Sequence, residues 1–214
     1  RFDPGMLYYA PQGWVSDDSD AVERLKIQYG TSMCYPLSSM GSHVSVVPNH
    51  QLNRKTPLHT RANVAYFGTF GYELDLNKLS YEEISEVKQQ IAFMKEYREL
   101  IQFGTFYRLK SPFEGNETAW MTVSEDKKTA LVFWYRERNV VNADFTRVRL
   151  QGLDPDFIYR NEYNGTENYG DELMNLGLLT TDCTAGEPTS EDAPCTDYES
   201  RIYVLTTVAR IPSP

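Results

Sequence analysis

The chain has 214 residues, 41% of them hydrophobic and 24% charged, which is the composition of an ordinary globular protein with one large domain or two small ones. Its formal net charge of −9 argues against a nucleic-acid partner, because affinity for the phosphate backbone comes mainly from basic side chains. No apolar run approaches the roughly 20 residues that cross a bilayer, so no membrane association is predicted. The negative net charge would neither favour nor oppose the binding of a neutral sugar.

The first half of the sequence predicts alternating strands and helices. A short strand over residues 13–16 is followed by a helix that Ser19 can cap, because a serine hydroxyl accepts hydrogen bonds from the first free amides of a helix. Apolar residues then recur at helical spacing until Pro36 ends the segment. The recurring positions are Val22, Leu25, Tyr29 and Met33.

Two further strands are predicted near residues 43–47 and over residues 71–76, with a loop and a short helix between them. The loop covers residues 48–57 and the helix residues 58–67. The clearest helix begins after Ser80, which forms a capping box with Glu83, and Gly104 is placed to end it. Repeated strand and helix indicate a parallel α/β fold, either an open sheet or the end of a barrel.

From about residue 105 the pattern changes to short β-rich runs separated by turn residues. That spacing favours an antiparallel β-sandwich. The acidic, turn-rich stretch 180–197 is predicted to be a surface loop. The predicted strands are residues 120–123, 129–136, 146–150, 157–163 and 202–208.

A cluster of carboxylates, S-D-D-S-D at residues 16–20, follows the first predicted strand. One interpretation is a helix N-terminus crowded with capping residues. The other is an acid–base site, which needs a carboxylic acid that can donate its proton near neutral pH. Helix amides favour the ionised form of such a group and neighbouring carboxylates favour the protonated form, so the residues alone leave the choice open.

Two long motifs carry a resemblance to a known family. Residues 1–9 read R-F-D-P-G-M-L-Y-Y and residues 14–30 read W-V-S-D-D-S-D-A-V-E-R-L-K-I-Q-Y-G. Together they closely resemble a signature of the family 36 glycoside hydrolases, the bacterial and fungal α-galactosidases. Y-F-G-T-F-G-Y-E-L-D-L at residues 66–76 is similar to the last barrel strand of that family.

The resemblance implies a fold and a catalytic residue. Residues 1–103 would be the C-terminal part of the (β/α)8 TIM barrel that carries catalysis, and residues 104–214 a C-terminal antiparallel β-sandwich domain. Asp18 would be the proton donor and general acid/base at the end of the sixth barrel strand, the face where barrel enzymes place their chemistry. Trp14 could line the sugar site or be a buried strand residue. Asp17 is a second candidate substrate contact.

The implied reaction is the retaining hydrolysis of terminal α-linked galactose from melibiose- or raffinose-type oligosaccharides. It needs no metal and no organic cofactor, because both catalytic groups are carboxyls. The family's nucleophile lies in a K-W-D-M-N-R-type motif that these 214 residues lack. We therefore expect the chain to be the C-terminal portion of a longer enzyme and to be inactive by itself. Family members often form tetramers, so a homo-oligomer through the full-length protein is expected.

Two other functions stay open at this stage. One is an α-N-acetylgalactosaminidase of the same family, because the resemblance implies that the residues that would bind the substituent at C2 lie largely upstream of Arg1. The other is a non-catalytic carbohydrate-binding or structural domain, in which residues 104–214 would carry the function.

The three cysteines bear on the compartment. Their odd number and the lack of metal-ligand spacing favour a reducing, cytoplasmic location. Cys183 and Cys195 could pair across the loop between them, which keeps secretion open. Cys34, on the first predicted helix, is interpreted as a small core residue. The histidines at positions 43, 50 and 59 lack metal-like spacing and are interpreted as polar loop or strand-end residues.

Overall fold

The computed structural model describes residues 3–141, 145–180 and 197–211. The chain forms two compact units, Arg1–Phe103 and Gly104–Pro214, each with its own internal packing. Most of the predicted loop 180–197 lies outside the described residues, and so do Cys183 and Cys195 and any pairing between them.

The first unit alternates short strands with helices. β1 pairs with β2 in parallel, with Trp14 opposite Gly41, and β3 pairs with β4 in parallel, with Val44 opposite Tyr72. Only two residues separate β2 from β3, so the two run as one interrupted strand between β1 and β4. Such parallel pairing through helical crossovers is typical of a β/α barrel. The elements are β1 (Gly13–Trp14), α1 (Ala21–Thr31), β2 (Met40–Gly41), β3 (Val44–Ser45), α2 (Leu58–Ala65), β4 (Tyr72–Glu73) and α3 (Tyr81–Phe103).

Helix α1 begins one residue later and ends earlier than its apolar spacing predicts. Asp20, not Ser19, is the N-cap: its carboxylate accepts hydrogen bonds from the amides of Val22 and Glu23 at 3.0 and 3.1 Å. The helix ends at Thr31, before the last apolar position of the pattern. The interpretation of Cys34 as a core residue is therefore wrong, because the side chain lies beyond the buried face of the helix and is exposed.

The capping box predicted for α3 is confirmed. The Glu83 amide donates to the Ser80 hydroxyl at 3.2 Å, and the Ser80 amide donates to the Glu83 carboxylate at 2.8 Å. The buried side of this 23-residue helix includes Gln90, whose side-chain oxygen accepts a hydrogen bond from the Tyr72 hydroxyl at 2.8 Å. α3 is thereby fixed against the end of the parallel strands. Of the helices in the described part of the chain, none has the length and apolar character to span a membrane.

The second unit is built on an antiparallel sheet that, over its described residues, contains six strands in the order β10-β9-β12-β7-β6-β5. The five β-rich runs of the sequence correspond to β6, β7, β8, β9 and β12, whereas β5, β10 and β11 were not predicted. The elements are β5 (Thr105–Lys110), β6 (Glu117–Val123), β7 (Thr129–Arg136), β8 (Arg147–Val148), β9 (Phe157–Asn161), β10 (Glu167–Tyr169), α4 (Gly170–Asn175), β11 (Leu178–Leu179) and β12 (Glu199–Arg210).

One face of this sheet is covered by the segment that carries β8, α4 and β11. Side chains of β6 and β7 form a buried cluster with Leu150, Leu173 and Leu178 from the covering segment. β8 and β11 pair with each other and not with the large sheet, so they form a second, smaller layer. Burial of each large apolar side chain here contributes about 1.5–3 kcal/mol relative to exposure. The result is a two-layered β domain.

Candidate active site

The loop after β1 lies at the carboxyl end of the parallel strands. Two contacts tie it to the loop after β3: the Asn49 side chain donates to the Ser19 hydroxyl at 3.2 Å, and Arg54 forms an ion pair with Asp20. The carboxyl ends of parallel strands meet at one edge of a sheet, and barrel enzymes build their sites from the loops there. The carboxylate cluster therefore lies at the edge of the sheet where β/α-barrel enzymes build their active sites.

Asp18 is not the helix cap. It lies two residues before the N-cap and is half-buried, with its amide donating to the Ser16 hydroxyl at 3.1 Å. One carboxylate oxygen accepts the Asp20 amide at 2.9 Å. Within the described residues, no other hydrogen bond reaches this carboxyl group. The capping interpretation of the cluster thus applies to Asp20, whereas Asp18 keeps a carboxylate oxygen available for a ligand.

Asp17 and Trp14 are both accessible. The Asp17 side chain is exposed, and the described residues give it neither a hydrogen bond nor an ion pair. The Trp14 side chain is 45% exposed, which excludes the fully buried position considered from the sequence. Its indole ring stacks on the His43 ring, with 4.3 Å between the centroids and 29° between the planes. An aromatic ring held in this way is a suitable surface for the apolar face of a sugar.

His43 fills the space behind Trp14. Gly71 makes room for its ring, because a Cβ at that position would lie only 3.0 Å from Cδ2. Its Nδ1 atom is buried and has no hydrogen-bond partner among the described residues. Burial lowers the pKa of His43; the negative charge of Glu73 opposes that effect and the positive charge of Arg24 adds to it. The ring is therefore neutral at neutral pH.

This pKa shift predicts a pH-dependent stability. Below about pH 6.5 the unfolded chain binds a proton at His43 that the folded chain accepts only at lower pH, so the free energy of unfolding should fall as the pH drops from 7 to 5. His43→Gln should flatten this part of the profile, measured by urea denaturation at half-unit pH steps. His50→Gln, at an exposed histidine, is the matched control. An unchanged slope in His43→Gln would contradict the prediction.

Sequence reasoning did not single out two residues of this region, His43 and Arg24. Arg24 is only 5% exposed on the buried side of α1. Burial lowers its pKa to about 10, while the carboxylates of Asp18 and Glu73 favour its charged form. One signal was present in the sequence: Arg24 and Gln28 are polar residues four apart, within a stripe of apolar residues at helical spacing. Over the residues described, no group of three or more histidine, cysteine or acidic side chains could hold a metal ion.

The first unit has the fold of the end of a β/α barrel, with a cluster of carboxylates on the loop after β1. Comparison with protein families agrees on both units. The Melibiase family model matches residues 1–104, and the model of the glycosyl hydrolase family 36 C-terminal domain matches residues 117–205.

Individual relatives match over most of the chain. The α-galactosidase AgaA of Geobacillus stearothermophilus is 58% identical over 178 residues, which are 83% of this chain and 24% of that protein. The α-galactosidase Mel36A of Lactobacillus acidophilus is 51% identical over the same share of the chain and 24% of its own length. The chain thus spans about a quarter of the length of these relatives.

Solved structures show the same relationship. The family 36 α-galactosidase AgaB of Geobacillus stearothermophilus superposes with a TM-score of 0.89 at 52% identity, over 97% of this chain and 27% of that one. The α-galactosidase of Lactobacillus brevis gives 0.90 at 46% identity, over 100% of this chain and 28% of that one. The chain belongs to glycoside hydrolase family 36. Its fold is the C-terminal part of a TIM barrel followed by an antiparallel β-sandwich, as the sequence predicts.

Proposed function

We propose that the chain is the C-terminal portion of a retaining α-galactosidase and that Asp18 is its general acid/base. The observation that carries the proposal is the position of Asp18 on the loop after β1, with a carboxylate oxygen that the described residues leave without a hydrogen bond. The relatives AgaA and Mel36A are α-galactosidases. Crystals of AgaA variants contain raffinose or stachyose, which supports an oligosaccharide with terminal α-linked galactose as the substrate class.

The chemistry follows from two carboxyl groups on opposite sides of the scissile bond, about 5–5.5 Å apart in retaining enzymes. In the first step a carboxylate nucleophile from outside these 214 residues attacks C1 of galactose. The Asp18 carboxylic acid donates its proton to the glycosidic oxygen as the C1–O bond breaks. In the second step the Asp18 carboxylate takes a proton from water, which attacks C1 and releases galactose and the nucleophile. Asp18 ends protonated again, and no metal or organic cofactor enters either step.

Two further residues are proposed as substrate contacts. Trp14 offers an indole face, held by the stack on His43, for the apolar side of the galactose ring. Asp17 is the exposed carboxylate next to the acid/base and can accept hydrogen bonds from sugar hydroxyl groups.

The test is the activity of a complete enzyme that carries this sequence. We expect hydrolysis of raffinose and of p-nitrophenyl α-galactoside, and much slower hydrolysis of p-nitrophenyl α-N-acetylgalactosaminide. The reverse preference would establish the N-acetylgalactosaminidase. Sugar binding without turnover of either glycoside would establish a non-catalytic domain.

The isolated 214-residue chain should give no measurable turnover with the same substrates. It lacks the K-W-D-type nucleophile motif, and the acid/base alone cannot form the covalent intermediate. Turnover by the purified chain at any rate above the uncatalysed reaction would contradict this division of the catalytic groups.

We propose in addition that the full-length protein is a homo-oligomer and acts in the cytoplasm. The odd number of cysteines and their lack of metal-ligand spacing support the location. Light scattering of the complete enzyme measures the oligomeric state, and fractionation of the producing cells measures the location.

A further inference from the structure

We propose that Arg24 and Gln28 of α1 act as a positioning pair that holds the Asp18 loop in place for proton transfer. This inference rests on the proposed function, since it assigns the pair a part in the same site. Neither side chain is a catalytic residue in our proposal, because neither touches the substrate. Arg24 acts through the backbone of the loop, and Gln28 acts through Arg24.

Arg24 binds the backbone of the loop and of the neighbouring strand. Its Nη2 donates to the carbonyl oxygen of Gly41 in β2 at 2.6 Å. Its Nη1 donates to the carbonyl oxygen of Ser16 at 3.2 Å and makes a longer bond, 3.4 Å, to that of Asp18. One buried guanidinium thus joins both ends of the acid/base segment to the adjacent strand. Hydrogen bonds from an ionised donor are roughly twice as strong as neutral ones.

Gln28 fixes the guanidinium in turn. Its side-chain oxygen accepts the Arg24 Nε at 3.1 Å, and its side-chain nitrogen donates to the carbonyl oxygens of Val64 and Phe67 at 3.0 and 2.9 Å. Gln28 is almost fully buried. These carbonyls lie at the end of α2 and just after it, so the pair connects the Asp18 loop to the next strand–helix unit. The loop cannot move without breaking buried hydrogen bonds.

Electrostatics support the same arrangement. The negative charges of Asp18 and Glu73 both favour the charged form of Arg24, so these carboxylates lie within electrostatic reach of the guanidinium. Lysine could keep the charge at position 24 but not the planar fork that reaches several carbonyls together.

Position matters here because proton donation requires hydrogen-bond contact with the glycosidic oxygen. A displacement of about 1 Å in a catalytic group costs roughly 10²-fold in rate. Loss of the pair should therefore reduce the acid-assisted step selectively. A substrate with a very good leaving group needs little protonation and should be affected much less.

The experiment compares kcat/KM, which reports the first chemical step, for raffinose and for 2,4-dinitrophenyl α-galactoside in the complete enzyme. Arg24→Met should lower kcat/KM on raffinose by roughly 100-fold and on the activated galactoside by less than about 5-fold. Arg24→Lys should recover part of the raffinose activity. Lys26→Met, which removes a partly exposed charge from the same helix, is the matched control and should leave both values unchanged.

A second variant keeps the inference testable if Arg24→Met fails to fold. Gln28→Leu leaves the guanidinium in place but removes its support, and should show the same preference for the activated substrate to a smaller degree. An equal loss on both substrates together with a lower Tm would show that the pair only stabilises the fold. Unchanged kinetics would also overturn the inference. Failure of the proposed function appears separately, as an unmodified enzyme that hydrolyses neither galactoside.

Discussion

In a complete enzyme, Asp18→Asn should lower kcat/KM on raffinose by roughly 10²–10⁴-fold, the usual contribution of general acid–base catalysis. The asparagine amide cannot donate the proton that the glycosidic oxygen needs. Its side-chain oxygen can still accept the Asp20 amide, as the aspartate does at 2.9 Å, so the loop should keep its geometry. Activity on 2,4-dinitrophenyl α-galactoside should persist in the first step, because that leaving group departs without protonation. Steady-state kinetics on the two substrates and circular dichroism of the variant check both parts.

The matched control is Glu96→Gln, which makes the same carboxyl-to-amide change at an exposed position on α3 and should leave kcat/KM on both substrates unchanged.

Asp17→Asn tests the neighbouring carboxylate: if Asp17 contacts the substrate, the variant should have a raised KM and a smaller change in kcat. If Asp18→Asn turned over raffinose at the normal rate, the general acid would have to be another residue. The catalytic assignment of the loop would then fail even though family membership stands.

Local sequence signals located the three helices of the first unit well, because the interactions that begin a helix lie within four residues, whereas the short α4 of the second unit was not predicted. The capping box of Ser80 and Glu83 is the clearest case: both reciprocal hydrogen bonds are present in the structure. Within the cluster at residues 16–20, where several side chains can cap a helix, the predicted cap Ser19 was wrong by one residue. The backbone of Asp20, with φ of −68° and ψ of 126°, decides that it is the cap.

The strands of the first unit could be located only in part. β2 covers two residues, Met40 and Gly41, and is defined by its pairing with the parallel strand that contains Trp14. A two-residue strand has no period for a sequence to display. The three-residue β10 and the two-residue β11 of the second unit are also too short to show a period and were missed, whereas β7, with seven of its eight residues buried, was predicted with the observed ends.

The candidate site could be proposed from the sequence where side chains would carry the chemistry, but not where backbone groups hold the side chains in place. Asp18 was proposed from the resemblance of its motif to a family signature. Arg24 was not proposed, because apart from the Gln28 side chain its partners are backbone carbonyls 6, 8 and 17 positions away, and a sequence does not show which carbonyls accept a hydrogen bond. The sequence shows the accessible carboxylate and the spacing of Arg24 and Gln28, but only the fold shows that the guanidinium binds the loop of Asp18.

The largest stability effect that we expect is at Asp20, since one buried carboxylate caps α1 and pairs with Arg54. The Asp20 side chain is 1% exposed and that of Arg54 24% exposed. Asp20→Ala removes the cap, worth about 1 kcal/mol, and breaks a buried ion pair, a change that costs about 3–5 kcal/mol when both partners are enclosed. Because Arg54 can reach solvent, the total should be about 3 kcal/mol, measured by urea denaturation.

Two further substitutions divide this free energy between its sources. Asp20→Asn keeps an oxygen that can accept the Val22 and Glu23 amides but loses the charge, so it should lie between the native protein and Asp20→Ala. Glu23→Gln removes a partly exposed carboxylate 3.7 Å from Arg54 and should cost less than about 1 kcal/mol. If Asp20→Asn were as destabilising as Asp20→Ala, the ion pair alone would hold the start of α1, and the cap would contribute nothing to the loop that carries Asp18.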